Sequence, residues 1–262
     1  MIDIGINGAA GRMGRRLVAL ASEDEQLRVV TALERDGHEL LGNDAGVVAS
    51  VDAINTPLAA QVQNKPKVMI DFTVPEAFRE ALRVCRQQKI AMVIGTTGLT
   101  DDDYKAIDAA AEDIAILHAP NMSLGVNLLF ALVGQVAERL GDDYDIEIVE
   151  AHHRFKLDAP SGTAMGLAEA ICHATGKQID KDFVHGRHGE STRKRGEVGM
   201  HALRIGDEVG RHSVHFGTLG EEITLAHKAS TRDVFARGAL RAAAWLADKP
   251  VGRYHMKDVL GL

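Results

Sequence analysis

An apolar strand that runs into a glycine turn and on into a helix leaves a chain few folds to choose from. Ile2–Asn7 reads as such a strand, Gly8-Ala-Ala-Gly-Arg-Met-Gly14 as the turn, and residues 11–22 as the helix. The pattern recurs. Residues 28–34, 67–73, 91–97 and 114–119 are further apolar runs, separated by helical patterning over Pro75–Gln88, which has proline in its first turn, and over 100–111. Such alternation through the first 120 residues predicts a Rossmann-like, doubly wound parallel sheet, an α/β fold with helices on both faces. Residues 36–66 are irregular and receive no element.

The glycines at 8, 11 and 14 are spaced G-x-x-G-x-x-G, with Ala9 where the better-known dinucleotide fingerprint has its first glycine. In a strand–turn–helix context they let the turn tighten, the backbone approach a pyrophosphate, and the helix pack on the strand. The helix N-terminus then offers N–H groups to phosphates. Glu34 follows twenty residues after Gly14, where a ribose-binding carboxylate belongs. A carboxylate favours the free 2′-hydroxyl of NADH, and the adjacent Arg35 can pair with the 2′-phosphate of NADPH, so use of both cofactors is expected. Gly95-Thr-Thr-Gly98 and Ala119-Pro-Asn-Met122 end later strands. Their position suits the ligand crevice, and tight βα turns account for them nearly as well.

From Asn121-Met-Ser-Leu-Gly125, a hinge opening a long helix to about Leu140, the style changes. Residues 144–151 alternate as a strand, 161–175 read as a helix, and 177–197 as a long polar loop. Strands are expected at 198–205, 211–216 and 222–227, and a final helix at 233–246. Runs of strands indicate a second, α+β domain with a mostly antiparallel or mixed sheet.

The segment Glu150-Ala-His-His-Arg-Phe-Lys-Leu-Asp-Ala-Pro-Ser-Gly-Thr-Ala164 gathers two imidazoles, two cations and a helix start within fifteen residues of a chain whose net charge is −7. A small anionic substrate that must be protonated needs those groups. His152 and His153 would point to opposite faces if the strand continued through them, so at most one does proton chemistry. Ser161 is a suitable N-cap, leaving Gly162 and Thr163 as the first helical positions. A zinc reading of the two histidines lacks a third ligand and is opposed by Lys156. The H-x-x-H at His185 and His188 and the basic run 187–195 read as a solvated, mobile loop, one that could also close over an anion.

The acidic balance and the 4% aromatic content argue against nucleic-acid and anionic-membrane binding. Cys85 and Cys172 read as reduced, buried thiols. The N-terminus enters a strand without a leader, and no apolar run approaches a membrane span, so a cytoplasmic location is expected.

On these residues the chain resembles the bacterial 4-hydroxy-tetrahydrodipicolinate (dihydrodipicolinate) reductase family of the diaminopimelate and lysine pathway. The segment 150–164 is similar to that family's E-x-H-H-x-x-K-x-D-x-P-S-G-T-A signature. Residues 8–14, Asp71-Phe-Thr73, Gly95-Thr-Thr-Gly98, Asn121 and Lys228-Ala-Ser-Thr-Arg232 agree in order. The resemblance implies NADH- or NADPH-dependent reduction of a cyclic dicarboxylated imine, with loss of water from its hydroxylated precursor. It implies His152 as acid/base and Lys156 as proton donor and carboxylate partner, with His153, Gly162 and Thr163 holding the substrate. Gly8, Ala9, Ala10, Gly11, Arg12, Met13, Glu34, Arg35, Gly95, Thr96, Thr97, Ala119, Pro120, Asn121 and Met122 would hold the nucleotide, and no metal takes part. Arg232 is a further candidate for the crevice. The resemblance also implies a homotetramer built through the second domain, and a final segment returning to the first. The domains are then 1–122 with 233–262, and 123–232. Two other readings are a semialdehyde or homoserine dehydrogenase, the first needing a catalytic cysteine, and a nucleotide-sensing regulator without turnover.

Overall fold

A computed structural model describes all residues, Met1–Leu262. Its contacts divide the chain into one unit of residues 1–124 with 233–262 and another of residues 125–232.

The first unit begins with β1 (Ile2–Asn7), α1 (Arg12–Ser22) and β2 (Leu27–Leu33). The stretch left without an element holds a short α2 (Ala45–Val48) and a two-residue β3 (Leu58–Ala59). Asp44 organises it, accepting from the N–H groups of Gly46, Val47, Ile54 and Thr56. These bonds, against the opposing pull of burial, hold its carboxyl below the usual range. Then follow β4 (Val68–Asp71), α3 (Pro75–Gln88), β5 (Ala91–Ile94), α4 (Asp101–Ala111) and β6 (Ala115–His118).

α5 (Leu124–Leu140) carries the chain into the second unit, which continues through β7 (Asp145–His152) and α6 (Gly162–Thr175). The expectation of a long loop over 177–197 is corrected: α7 (Ile179–Asp182) and β8 (Phe183–His185) lie inside it. Nor is the rest of it simply solvated. Arg187 and Arg193 both reach Glu147, and Arg193 also donates to the carbonyls of Ile146 and Glu197. Charges far apart in sequence override the local polarity. β9 (Val198–Arg204), β10 (Gly210–Thr218) and β11 (Glu221–Ala229) complete a five-stranded mixed sheet, ordered β11-β10-β7-β9-β8. β10 pairs antiparallel with β11 and β7, while β9 pairs parallel with β7 and β8.

Side-chain alternation splits this sheet. Ile146, Ile148, Val214 and Phe216 pack under Leu167, Ala168 and Ile171 of α6. Continuing along the same face, the period of two brings Glu150, His152, Gly210 and His212 to the far end, all buried. The expectation that no apolar run approaches a membrane span also needs correction. The helix from Leu124, with the turn that follows it to Asp143, is long and apolar enough by composition. Part of that apolarity is spent on the core, where Leu129, Val133 and Ala137 lie.

The chain then returns to the first unit with α8 (Asp233–Leu246), β12 (Gly252–Tyr254) and α9 (Met256–Leu260). The first sheet is ordered β12-β6-β5-β4-β1-β2-β3 and is parallel throughout. Alternation along its buried strands supplies two cores. Val68, Ile70, Val93 and Leu117 join the cluster containing α1 and α8 residues. Met69, Met92, Ile94 and Ile116 join the one containing α3 and α4 residues. The order reverses at β1, the switch point outside whose strand ends ligands bind in this architecture.

Candidate active site

At the switch point the chain turns sharply. Gly8 takes φ +73°, a conformation that glycine reaches without strain. A Cβ on Gly14 would lie 2.1 Å from the Gly8 carbonyl oxygen and 2.6 Å from Ala9 Cα. Only glycine lets α1 pack that closely on the turn. Gly11 is the N-cap and offers no side chain to the first N–H groups of α1, which are left for an anion. A cavity of about 830 Å³ opens here, lined by Gly8, Gly11, Glu34, Arg35, Thr73 and Val74 among others. The Glu34 carboxylate folds back over the turn, accepting from Ala10 N at 3.3 Å and Arg35 N at 3.0 Å. Ala9 and Ala10 are buried, Met13 half-buried, and Arg12 and Arg35 exposed. A turn closed to a Cβ at Gly8 and Gly14, an uncapped helix and an adjoining cavity are what a dinucleotide pyrophosphate needs, so these residues fit the cofactor.

Gly95, Thr96 and Thr97 do not line that cavity, nor do residues 119–122. They stand at the ends of neighbouring strands. A Cβ on Gly95 would meet the Phe72 ring at 2.4 Å. Thr97 and Pro120 are exposed, while Ala119 and Met122 are buried. Asn121 Oδ1 accepts from Ser123 N at 2.9 Å. The buried Asp71 ties these turns together and was not singled out as a site residue. Its carboxylate accepts from Asn7 Nδ2, Thr73 N, Thr73 Oγ1 and Thr96 Oγ1, joining the ends of β1, β4 and β5. Its signals in the sequence are a carboxylate at the end of an apolar strand and the Asp71-Phe-Thr73 segment of the resemblance, neither of which gives it a role.

In the second unit His152 is the last residue of β7, on the covered face with Glu150. His153 lies beyond the strand, near the Phe155 ring, and its buried Nδ1 has no hydrogen-bond partner. His152 Nδ1 meets Glu150 Oε2 at 2.6 Å, and its ring is edge-on to His212 at 5.1 Å between centroids. Burial, then the His152 charge, push the His212 imidazole down to about 4, so it is neutral near pH 7. The charge of Glu150 opposes this shift, and Lys156 adds a smaller contribution to it. Lys156 Nζ pairs with Asp158 at 2.8 Å. Burial pushes the Glu150 carboxyl up, but Arg204 and then His152 outweigh it, and the net position is below the usual carboxylate range.

Ser161 caps α6 by accepting from Ala164 N at 3.2 Å, and its hydroxyl meets His212 Nε2 at 3.0 Å. A Cβ on Gly162 would find nothing within 4 Å. Space therefore stands in front of the first turn of a helix fourteen residues long. Arg232 is exposed, and Arg204, Gly210 and His212 were missed by sequence reasoning. Only strand pairing brings those three to His152, and no local motif carries that signal. No group of three or more His, Cys, Asp or Glu side chains is disposed to hold a metal ion.

A Rossmann-like sheet with a glycine-turn cofactor cavity, joined in one chain to a buried imidazole–carboxylate pair, defines a pyridine-nucleotide oxidoreductase. Comparison with known proteins gives its kind. Family profiles described as dihydrodipicolinate reductase, N-terminus and C-terminus, match residues 2–122 and 125–260. The chain is 43% identical to a 4-hydroxy-tetrahydrodipicolinate reductase of Psychrobacter arcticus, over 100% of this chain and 96% of that one. It is 46% identical to one of Geotalea uraniireducens, over the whole of both. Among solved structures, the dipicolinate-bound dihydrodipicolinate reductase from Paenisporosarcina sp. TG-14 superposes with a TM-score of 0.77 at 26% identity, covering 97% of each chain. The chain belongs to the dihydrodipicolinate reductase family.

Proposed function

We propose that this chain reduces 4-hydroxy-tetrahydrodipicolinate to tetrahydrodipicolinate with loss of water, in diaminopimelate and lysine biosynthesis, as a cytoplasmic homotetramer. The first unit is the dinucleotide-binding domain, and the second binds substrate and assembles the oligomer. NADH or NADPH supplies the hydride. Gly8, Ala9, Ala10, Gly11, Arg12 and Met13 carry its pyrophosphate, Glu34 and Arg35 its ribose, and Gly95, Thr96, Thr97 and residues 119–122 line the crevice beside them.

The observation that carries this reading is the buried Glu150–His152 pair in one unit with the open start of α6, with Lys156 on the loop that joins them. A dicarboxylate needs two anchors. One is the α6 N-terminus, where Gly162 leaves room for a carboxylate and Thr163 is the next residue. The other is Lys156, with His153 alongside. Hydride addition places negative charge on the conjugated nitrogen of the ring. A cationic Lys156 stabilises that charge and delivers the proton, and His152 Nε2 acts as acid/base.

A semialdehyde dehydrogenase is disfavoured by the thiols. Burial pushes Cys85 up to about 12, and Cys172 is raised as well, so neither is a ready nucleophile. A coupled assay tests the proposal. Supplied with pyruvate, aspartate semialdehyde and the synthase that condenses them, the protein should oxidise both NADH and NADPH. Oxidation of neither would overturn the reaction, and nucleotide binding without turnover would favour a sensor.

A further inference from the structure

Glu150 lies at 0% exposure on the covered face of β7. An ionised carboxylate costs several kcal/mol to bury unless its lone pairs are filled. Here four bonds reach it. Oε1 accepts from Ser161 N at 3.1 Å and from an Arg204 terminal nitrogen at 2.9 Å. Oε2 accepts from His152 Nδ1 at 2.6 Å and from the other terminal nitrogen of Arg204 at 2.9 Å. The partners come from the strand end, the start of α6, and β9. Arg204 also donates to the Asp158 carbonyl at 2.6 Å, so the same guanidinium ties down the loop that carries Lys156.

We propose that Glu150, clamped by Arg204, is the positioning residue that fixes the proton of His152 on Nδ1 and sets the start of α6 beside it. The proposal rests on the acid/base role given to His152 above. An ionised carboxylate only accepts, so the ring nitrogen facing it must carry hydrogen. Neutral His152 is then the Nδ1–H tautomer, with its lone pair on Nε2. That nitrogen faces Gly210, the first position of β10, which has no side chain: a Cβ there would lie 3.2 Å from Nε2. Arg204 supplies the second element. Its bidentate guanidinium offsets the charge of the carboxylate and fixes both oxygens, so the oxygen that faces Nδ1 is held in one place. Because Ser161 N shares Oε1, the imidazole and the carboxylate-binding helix start move as one body.

The test reads the tautomer directly. In protein with ¹⁵N-labelled histidine, His152 is assigned by the loss of its signals in His152→Asn. In its neutral form, wild-type His152 should show a protonated Nδ1 and an unprotonated Nε2. Glu150→Gln keeps the shape but presents an amide, and the ring should shift toward the Nε2–H form. Its kcat should fall about 10²- to 10⁴-fold, as when other catalytic imidazoles are held in the wrong tautomer, with NADH affinity within about twofold. An Nε2–H tautomer in the wild-type protein would overturn the proposal, and so would Glu150→Gln with kcat within about threefold of wild type. The wild-type measurement needs no substrate and no Glu150 variant. It therefore stands even if the reaction is assigned wrongly, and fails only if the positioning does.

Discussion

Two helix starts, one in each unit, are built by different means. α1 begins at a glycine N-cap with no side-chain bond, pressed so tightly on the turn that Gly14 meets backbone at 2.1 Å. α6 begins at Ser161, whose side chain caps the helix and whose N–H is held by Glu150, while Gly162 faces open space. The first site is shaped by backbone against backbone within fourteen residues of sequence. The second is shaped by buried charge drawn from β7, β9 and the loop between β7 and α6. Backbone shape suits a pyrophosphate, which needs N–H groups and room. Proton chemistry needs titratable groups in fixed relation, and only long-range pairing supplies those.

The largest expected effect separates these tasks. Lys156→Ala should lower kcat about 10²- to 10⁴-fold, the usual contribution of a positioned proton donor. NADH affinity, measured by fluorescence titration, should be unchanged. Equal loss of both would dissolve the division between nucleotide and proton chemistry, and an unchanged kcat would remove Lys156 from the reaction.

Each unit also hides one neutral imidazole, and acid should find both. His118, at the end of β6, is pushed down to about 4 by burial and then by Arg253 and His255. His212 is pushed to about 4 by burial and then by His152, with His227 and Lys156 adding to it and Glu150 opposing. An imidazole depressed in the fold binds its proton more readily when unfolded. Stability is therefore complete above the ordinary value of about 6.5 and is lost as pH falls toward 4. Between pH 7 and 5 the loss is on the order of 2 kcal/mol for each group. Urea unfolding at the two pH values should show it, and His118→Phe and His212→Phe should each flatten the slope. A slope that neither substitution changes would refute burial as the cause.

The comparison also explains what was legible in sequence. Strand–turn–helix units, the glycine turn and Glu34 are local signals, and the structure places them together at one cavity. The segment at 150–164 was visible as a cluster, yet strand alternation could not say which histidine faces inward. Register decides it, because His152 shares a face with Glu150 and His212. Arg204 and His212 could not be read locally. Arg204 lies fifty-four residues from Glu150, and its ion pair exists only because β9 runs parallel to β7. The loop at 177–197 was misread for the same reason, since Glu147, whose bonds secure it, stands on a strand far upstream.

Paired glycine substitutions sharpen the contrast between the helix starts. Gly14→Ala drives a methyl into backbone and should cost about 1–3 kcal/mol of stability, with nucleotide affinity falling too. Gly162→Ala meets nothing within 4 Å. Its thermal unfolding should be unchanged or slightly raised, while KM for the dicarboxylate rises because the methyl fills the space a carboxylate needs. A destabilised Gly162→Ala would show that the second start, like the first, is shaped by packing.

The smallest effect tests the nucleotide end. Arg35 is exposed and Glu34 turns its carboxylate toward Ala10 N and Arg35 N. An exposed guanidinium paired with a phosphate contributes about 1 kcal/mol, so Arg35→Ala should weaken NADPH about fivefold and NADH less than about twofold. Glu34 works in the opposite sense, because its charge suits a 2′-hydroxyl and repels a 2′-phosphate. Glu34→Gln should therefore weaken NADH and leave NADPH equal or tighter, moving the ratio of the two affinities toward NADPH. Direct titration of each variant with both nucleotides reads that ratio. Shifts in the same direction for the two variants would mean that neither residue senses the 2′ position, and that the cavity selects by shape alone.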